Sequence, residues 1–200
     1  MKSFEHIYAS SLEDAAELLQ RHKSRALVVS GGSDLLAMMK DGMVAPEVVI
    51  NLQRVSNLRS VTFDAAGGVA IGGMVTLAEI DRNDPIRKGW PAFAEAAASV
   101  ASPQIRNVAT LGGNLAQRSR CWYYRGPFDC WLKGGEHCFA VDGENKPHAI
   151  FGDGPCHMVH PSDMATVLLA LDGSIEVFGA GGARVVPAER FFVNPEPQRR

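Results

Sequence analysis

The sequence predicts a protein of mixed helices and strands, and three observations support this. In the first 55 or so residues, continuous apolar runs alternate with amphipathic segments, as in a small α/β unit. From Leu58 onward, short hairpin patterns alternate with helices that carry capping residues. All four cysteines lie between Cys121 and Cys156, which marks a loop region with chemistry of its own.

The elements of the first part follow from periodicity and capping. Ser10 and Glu13 have the spacing of a capping box, and apolar residues continue behind them at helical spacing. The apolar runs at 26–30 and 48–50 are typical of buried strands. The predicted order is a short strand at 4–8, a helix from the capping box, a strand at 26–30, the turn Gly31-Gly-Ser-Asp34, a short helix at 35–40 and a strand at 48–50.

The second part is predicted by turns and helix starts. Segments 61–63 and 69–71 form one hairpin pattern, and 175–178 with 184–186 form another. Thr76 and Glu79 make a second capping box, Pro91 begins a helix that runs to Val100, and Ser162 caps a helix at 163–171. The polar tail at 194–200 is expected to be mobile.

Composition excludes several classes of function. The 200 residues are 46% apolar, which is ample for a packed core. A formal net charge of −2 without any Lys/Arg run argues against nucleic acid or an anionic membrane as the main partner. No apolar run approaches the ~20 residues that a membrane span needs, and the N-terminus lacks an apolar signal core. A reducing compartment is therefore expected, where cysteines serve thiol or metal chemistry.

Two turns rich in small residues are candidate phosphate sites. Gly31-Gly-Ser-Asp34 lies between a strand and a helix, where backbone N–H groups and the helix N-terminus favour an anion. Thr110-Leu-Gly-Gly-Asn114 offers a hydroxyl, two backbone donors and a side-chain amide. Each alone is more often an ordinary turn, but together they could clamp a pyrophosphate. Asp163, usually a helix cap, becomes in that company a candidate to bind a ribityl or ribose hydroxyl.

The cysteine spacing favours an iron–sulfur cluster. Eight, seven and seventeen residues separate Cys121, Cys130, Cys138 and Cys156, so the tight hooks of structural zinc sites are missing. Thiolates spread over a long loop suit the larger core of a cluster. A zinc site and four unrelated buried thiols are the alternative interpretations. The loop also carries aromatic residues that would exclude water and three histidines that flank the cysteines: Trp122, Tyr123, Tyr124, Phe128, Trp131 and Phe139, with His137, His157 and His160.

Four motifs in order resemble a known family, the FAD-binding medium subunits of the molybdenum hydroxylases (xanthine dehydrogenase family). They are Gly31-Gly-Ser-Asp-Leu35, Ile71-Gly-Gly-Met-Val-Thr76, Ile105-Arg-Asn-Val-Ala-Thr-Leu-Gly-Gly-Asn-Leu115 and His160-Pro-Ser-Asp-Met164. The cysteine loop is similar to that of the subgroup with an extra [4Fe–4S] cluster, which includes 4-hydroxybenzoyl-CoA reductase and bacterial aldehyde oxidoreductases. Arg120-Cys-Trp-Tyr-Tyr124 and His148-Ala-Ile-Phe-Gly152 lie closer to the aldehyde oxidoreductase pattern.

The resemblance implies a fold and a division of the chain. The fold would be α+β, a two-lobed PCMH-type FAD-binding domain like the CO dehydrogenase flavoprotein and not a Rossmann sheet. One lobe would span 1–55 and the other 56–190, with the cysteine loop at 117–160 and a tail at 191–200. Family members continue into a further C-terminal domain that helps to cover the flavin. That domain is expected to be missing here, which would affect FAD affinity.

The resemblance also implies the ligand sets. The two turns would cradle the FAD pyrophosphate, with Thr110 as a hydroxyl donor, and Asp163 would hold a ribityl or adenosine hydroxyl. The turn residues concerned are Val29, Ser30, Gly31, Gly32, Ser33, Asp34 and Leu35 in the first turn, and Ala109, Thr110, Gly112, Gly113 and Asn114 in the second. The [4Fe–4S] cluster would be bound by Cys121, Cys130, Cys138 and Cys156.

The function implied is electron transfer within a heteromeric oxidoreductase. A large subunit would carry the molybdenum cofactor and a small subunit [2Fe–2S] clusters, and electrons would pass through FAD to NAD, oxygen or a carrier protein. The [4Fe–4S] cluster would relay electrons to or from an external partner, with a mainly structural role as the alternative. No side chain presents a convincing acid–base catalyst, so the flavin would do the chemistry. The expected location is cytoplasmic, with export on a partner's signal as an alternative. The competing hypotheses are a stand-alone flavin oxidase with structural zinc and an assembly subunit that has lost FAD.

Overall fold

The computed structural model describes residues 1–152 and 154–193, which form two compact units. The first unit comprises Met1–Ala116 and Ser162–Phe191, and the second comprises Gln117–Pro161 with the described residues after Phe191. The lobe boundary expected near residue 55 falls inside the first unit and stays a prediction. The polar tail at 194–200 lies outside the described residues.

A three-stranded parallel sheet opens the first unit. Its elements are β1 (Glu5–Tyr8), α1 (Leu12–His22), β2 (Ala26–Val29), α2 (Leu35–Lys40) and β3 (Val48–Asn51), and the strand order is β1-β3-β2. Ile50 on the central strand pairs with Ile7 on one side and Val28 on the other. Parallel strands need crossover segments, and α1 and α2 supply two helical ones. The predicted strands and the short helix at 35–40 are confirmed.

Two apolar clusters cover the two faces of this sheet. On one face α1 packs against the strands, and the buried residues are Ala9, Ala15, Leu18, Ala26, Val48, Ile50 and Val55. On the other face the buried residues are Val29, Met39 and Val49. The central strand is buried along its whole length, because both of its faces are covered. The continuous apolar runs in the sequence are explained by this arrangement.

The capping box predicted at Ser10 and Glu13 is wrong by one residue. The N-cap of α1 is Ser11, whose Oγ accepts a hydrogen bond from Asp14 N at 3.1 Å. The Asp14 carboxylate accepts in turn from the backbone N and the hydroxyl of Ser10, both at 2.8 Å. Two adjacent serines and two adjacent acids allow either register, and the helix begins one residue later than expected.

The rest of the first unit is a helical layer with two hairpins. The elements are β4 (Val61–Phe63), β5 (Val69–Ile71), α3 (Leu77–Arg82), α4 (Asp84–Gly89), α5 (Pro91–Ser99), α6 (Pro103–Arg106), α7 (Leu111–Leu115), α9 (Asp163–Ala170), β6 (Ser174–Gly179), β7 (Gly182–Pro187) and α10 (Ala188–Phe191). Both predicted hairpins are confirmed as antiparallel pairs. Fully buried Leu77, Ile80 and Met164 lie in this layer, where each large apolar side chain contributes about 1.5–3 kcal/mol.

The capping box at Thr76 is confirmed and carries a stability prediction. Thr76 N donates to Glu79 Oε2 at 2.7 Å, and Glu79 N donates to Thr76 Oγ1 at 3.2 Å. Replacing Thr76 by alanine removes the hydroxyl acceptor, so the free energy of unfolding should fall by about 1 kcal/mol in urea denaturation. Thr76→Ser keeps the hydroxyl and should stay near the wild type. Equal free energies of unfolding for Thr76→Ala and Thr76→Ser would contradict a stabilising role of the capping box.

The second unit has little regular structure and is held by side chains that bind backbone carbonyls. It contains α8 (Trp122–Arg125) and a 3-10 turn at Trp131–Lys133. Arg125 Nε donates to the Ser119 carbonyl at 2.8 Å, and Lys133 Nζ donates to the Gly126 carbonyl at 2.8 Å. Across the described parts of both units, no helix combines the length and apolar character that crossing a membrane requires.

Candidate functional site

The two candidate turns meet in the first unit. Ser30 directly follows β2, and Thr110 is the N-cap of α7. Thr110 Oγ1 donates a hydrogen bond to Ser30 Oγ at 3.0 Å and accepts one from Gly113 N at 3.1 Å. The Thr110 hydroxyl thus joins a strand-to-helix turn to a helix start eighty positions away in sequence. The proximity expected for a two-turn clamp is present, while the ligand assigned to it stays a prediction.

Glycine is required at Gly31 because the chain passes so closely there. A Cβ at Gly31 would overlap the carbonyl oxygen of Val108, which belongs to the backbone that leads into the second turn. At Gly113, a Cβ would lie 3.0 Å from both Ser30 Oγ and Thr110 Oγ1. The missing side chain at Gly113 therefore leaves the paired hydroxyls uncrowded.

A third segment, 73–77, supports the second turn. Gly112 N donates to the Gly73 carbonyl and Leu111 N to the Val75 carbonyl, both at 2.9 Å. Thr76 and Thr110 form an isolated antiparallel bridge. The sequence motif Ile71–Thr76 contributed to the family resemblance, but its contact with the second turn was missed. The glycine pairs in both segments, Gly72-Gly73 and Gly112-Gly113, were the available signal. Glycine allows the two backbones to approach closely, since a Cβ on Gly112 would lie 2.9 Å from the Gly73 oxygen.

Asn114 and the start of α9 come together through Ser162. Ser162 Oγ donates to Asn114 Oδ1 at 2.6 Å and accepts from Ala165 N at 3.0 Å, which confirms Ser162 as the helix cap. Both Asn114 and Ser162 are buried. Asp163 is the first residue of α9 and is exposed. Sequence reasoning assigned Ser162 a capping role alone and missed that it ties the second turn to α9.

The four cysteines are free thiols gathered in the second unit. Burial raises the pKa of Cys121, the backbone N–H groups of Tyr124 and Tyr123 lower it, and the charges of Cys130 and Cys138 raise it again. Burial also raises the pKa of Cys156, a backbone hydrogen bond at Met158 lowers it, and the other three cysteine charges raise it. Such charge effects weaken with distance, so Cys121 and Cys156 each have other cysteines of the loop in their surroundings.

The backbone of the loop places these thiols. Cys121 is the N-cap of α8, and Cys130 is the N-cap of the 3-10 turn. The Cys130 carbonyl accepts from Lys133 N at 2.9 Å and from Gly135 N at 3.0 Å. Among the residues described by the structure, no three His, Cys, Asp or Glu side chains form a group that could hold a metal ion. The iron–sulfur assignment of the four cysteines therefore stays a prediction.

Aromatic rings line the loop as the sequence suggested. Tyr123 lies at the centre, with ring centroids 5.0 Å from Phe128, 5.7 Å from Phe139 and 6.1 Å from Trp122. The Tyr123 hydroxyl donates to the Glu144 carbonyl at 3.1 Å. Cys130 and Cys138 are buried in the same loop.

The histidine in contact with a thiol is one that sequence reasoning missed. His148 Nε2 lies 3.1 Å from Cys121 Sγ, and the His148 side chain is only 8% exposed. Of the three histidines singled out, the His137 ring lies 4.5 Å from Phe139 and the His160 ring 5.0 Å from Phe192. Burial lowers the pKa of His160. The signal for His148 was its position inside the loop, between the third and fourth cysteines.

Comparison with known proteins gives consistent matches along nearly the whole chain. The family described as the FAD binding domain in molybdopterin dehydrogenase matches residues 2–200. Aldehyde oxidoreductase FAD-binding subunit PaoB from Escherichia coli (strain K12) is 32% identical, over 98% of this chain and 62% of the relative. Nicotine 6-hydroxylase medium subunit from Paenarthrobacter nicotinovorans is 32% identical, over 94% of this chain and 52% of the relative.

A solved structure gives the same result for the fold. Carbon monoxide dehydrogenase from Hydrogenophaga pseudoflava matches with a TM-score of 0.70 and 26% identity, over 97% of this chain and 53% of that one. The chain therefore spans between about half and three fifths of the length of these relatives. The fold predicted from the resemblance is confirmed, while the subgroup with an extra [4Fe–4S] cluster stays a prediction. This chain belongs to the family of FAD-binding domains of molybdopterin dehydrogenases.

Proposed function

We propose that this chain is the FAD-binding electron-transfer subunit of a heteromeric molybdenum-containing oxidoreductase. The observation that carries the proposal is the contact between the two turns, in which the Thr110 and Ser30 hydroxyls meet at 3.0 Å beside Gly113. A pyrophosphate needs several donors that converge on one small volume, and two hydroxyls with glycine backbone offer that arrangement. The family match over residues 2–200 supports flavin as the ligand.

The residues that would hold FAD are the two turns and the start of α9. The turns at 29–35 and 109–114 would bind the pyrophosphate through hydroxyls and backbone N–H groups, with no lysine or arginine in either segment. The Asp163 carboxylate, exposed at the start of α9, would accept a hydrogen bond from a ribityl or adenosine hydroxyl. The buried hydrogen bond between Ser162 and Asn114 joins the second turn to the start of α9.

The partners follow from the kind of complex proposed. A large subunit would carry the molybdenum cofactor, and a small subunit would carry [2Fe–2S] clusters. When bound, FAD would supply the redox chemistry that passes electrons from the small subunit to NAD, oxygen or a carrier protein. The names of the relatives agree with a multi-subunit enzyme, since one is an FAD-binding subunit of an aldehyde oxidoreductase and another a medium subunit of a hydroxylase.

The second unit would hold a [4Fe–4S] cluster through Cys121, Cys130, Cys138 and Cys156. Two arguments support a [4Fe–4S] cluster at these thiols. Burial first, and then the charges of other cysteines in the loop, raise the pKa of Cys121 and of Cys156, so a positively charged centre would relieve that repulsion. A cluster also has a larger core than a single ion and accepts ligands from widely spaced backbone positions. The cluster would supply one-electron chemistry, and the aromatic rings around Tyr123 would limit access of water.

A threonine substitution tests the flavin site. Thr110→Val removes the hydroxyl and keeps the branched shape, so FAD affinity should fall about tenfold or more, since a hydrogen bond to a charged group contributes about 1.5–3 kcal/mol. Binding would be measured by titration of the flavin-depleted chain with FAD, followed by flavin fluorescence. Thr110→Ser should keep most of the affinity.

Thr62→Val is the matched control, because Thr62 is exposed in β4. It should bind FAD like the wild type. Wild-type affinity in Thr110→Val would count against the pyrophosphate clamp. Failure of the wild-type chain to bind FAD, alone or within its complex, would overturn the proposed function.

A further inference from the structure

His148 is held against Cys121 by both its backbone and its ring. His148 N donates to the Asn145 carbonyl at 2.8 Å, and Asn145 Nδ2 donates to the Ala140 carbonyl at 3.1 Å. The ring lies 5.4 Å from Trp122 and 5.8 Å from Tyr123, measured between centroids. These contacts fix the ring so that Nε2 faces Cys121 Sγ at 3.1 Å.

The surroundings of the ring decide which nitrogen carries the proton. A sulfur bound to metal is a thiolate and has no proton, so only Nε2–H can form a hydrogen bond to it. His148 Nδ1 is buried and has no hydrogen-bond partner among the described residues. A ring that carried its proton on Nδ1 would bury an unpaired N–H and would turn a lone pair toward the thiolate. The contact therefore favours the Nε2–H form as donor.

Cys121 is the N-cap of α8, so its side chain lies at a helix start. The backbone N–H groups of Tyr124 and Tyr123 stabilise its thiolate form, and His148 Nε2 adds a side-chain donor to the same atom. Hydrogen bonds to cluster sulfurs draw electron density from the metal and stabilise the reduced state, which raises the reduction potential.

We propose that His148 is a positioning residue for the cluster, whose Nε2–H donates to Cys121 Sγ and raises the cluster's reduction potential. The inference rests on the proposed function, because it requires the four cysteines to bind iron. It adds a residue that binds no metal itself and acts through one of the ligands. It also gives a reason for burying a polar ring whose Nδ1 has no partner in the described part of the chain.

The test compares three variants of the chain within its complex. His148→Phe removes the donor and keeps a planar ring, and His148→Gln keeps an N–H donor on a shorter reach. His22→Phe makes the same exchange at the last residue of α1, outside the cysteine loop. Iron and acid-labile sulfide would be measured for each, and the midpoint potential would be obtained by a redox titration followed by EPR.

The expected result is a lower potential in His148→Phe alone. The equilibrium constant for reduction should fall about tenfold, which is ~59 mV for one electron. His148→Gln should recover most of the shift, and His22→Phe should match the wild type. An iron-loaded His148→Phe with the wild-type potential would overturn the inference and leave the proposed function standing. A wild type without iron or sulfide would overturn the inference together with the cluster.

A spectroscopic measurement keeps the test decisive if His148→Phe does not retain iron. In wild-type protein labelled with ¹⁵N-histidine, pulsed EPR of the reduced cluster should detect a coupling to an imidazole nitrogen. His148→Gln should lose that coupling while keeping its iron. A wild type with a full cluster and no histidine coupling would contradict the hydrogen bond.

Discussion

Gly31→Ala is expected to destabilise the first unit and to abolish FAD binding. A Cβ at this position overlaps the Val108 carbonyl oxygen, which is backbone and cannot rotate away. Either β2 or the segment before Thr110 must shift, and overpacking of this kind costs about 1–3 kcal/mol or more. The same shift would separate the Ser30 and Thr110 hydroxyls, which now meet at 3.0 Å. The measurements are urea denaturation and titration with FAD.

Gly89→Ala is the matched control for this prediction. Gly89 is the last residue of α4, and a Cβ there would meet no atom within 4 Å. Alanine favours the helical conformation over glycine by up to about 1 kcal/mol, so stability should be unchanged or slightly raised. FAD binding should be that of the wild type. If Gly31→Ala behaved like Gly89→Ala, the close passage of the two turns would not be what constrains this site.

Cys130→Ala is expected to remove the iron–sulfur cluster and to leave FAD in place. Cys130 is buried at the start of the 3-10 turn, and its charge raises the pKa of both Cys121 and Cys156. Loss of one of four thiolates leaves an iron atom without its protein ligand. Iron and sulfide per chain should fall to a small fraction of the wild-type values, while the flavin content measured on the same samples should change little.

Leu132→Val controls for loss of packing in the same turn. Leu132 is buried two residues after Cys130, and the change removes one methylene, worth about 0.8 kcal/mol, without altering any thiol. It should keep full iron. Zinc in place of iron in the wild type would favour the structural-zinc hypothesis, and full iron in Cys130→Ala would remove Cys130 from the ligand set.

Much of the fold could be predicted from local sequence. The apolar runs of β2 and β3, the Thr76–Glu79 capping box and the Ser162 cap depend on residues within one turn of each other, so one sequence is enough to find them. The start of α1 could not be fixed in this way. Ser10 and Ser11 offer equivalent caps, and the choice depends on how the helix packs against the sheet.

The candidate site was predictable in its parts and not in its contacts. Glycine turns can be recognised from their local composition. The hydrogen bonds from segment 73–77 to the second turn cannot, because they join segments more than thirty residues apart. His148 has the same limitation. Its position between the third and fourth cysteines was a signal, but several histidines lie in or beside the loop. Only the folded loop shows that His148 faces Cys121 Sγ while His137 and His160 lie against phenylalanine rings.

The sequence by itself determined the family, the order of the elements and the chemical character of the two turns and the four thiols, because these are properties of residue type and spacing. The tertiary structure decided which groups meet: Thr110 with Ser30, Asn114 with Ser162, and Cys121 with His148. Such pairs depend on the path of the chain between them, and this path is set by packing of the whole unit and not by any local pattern.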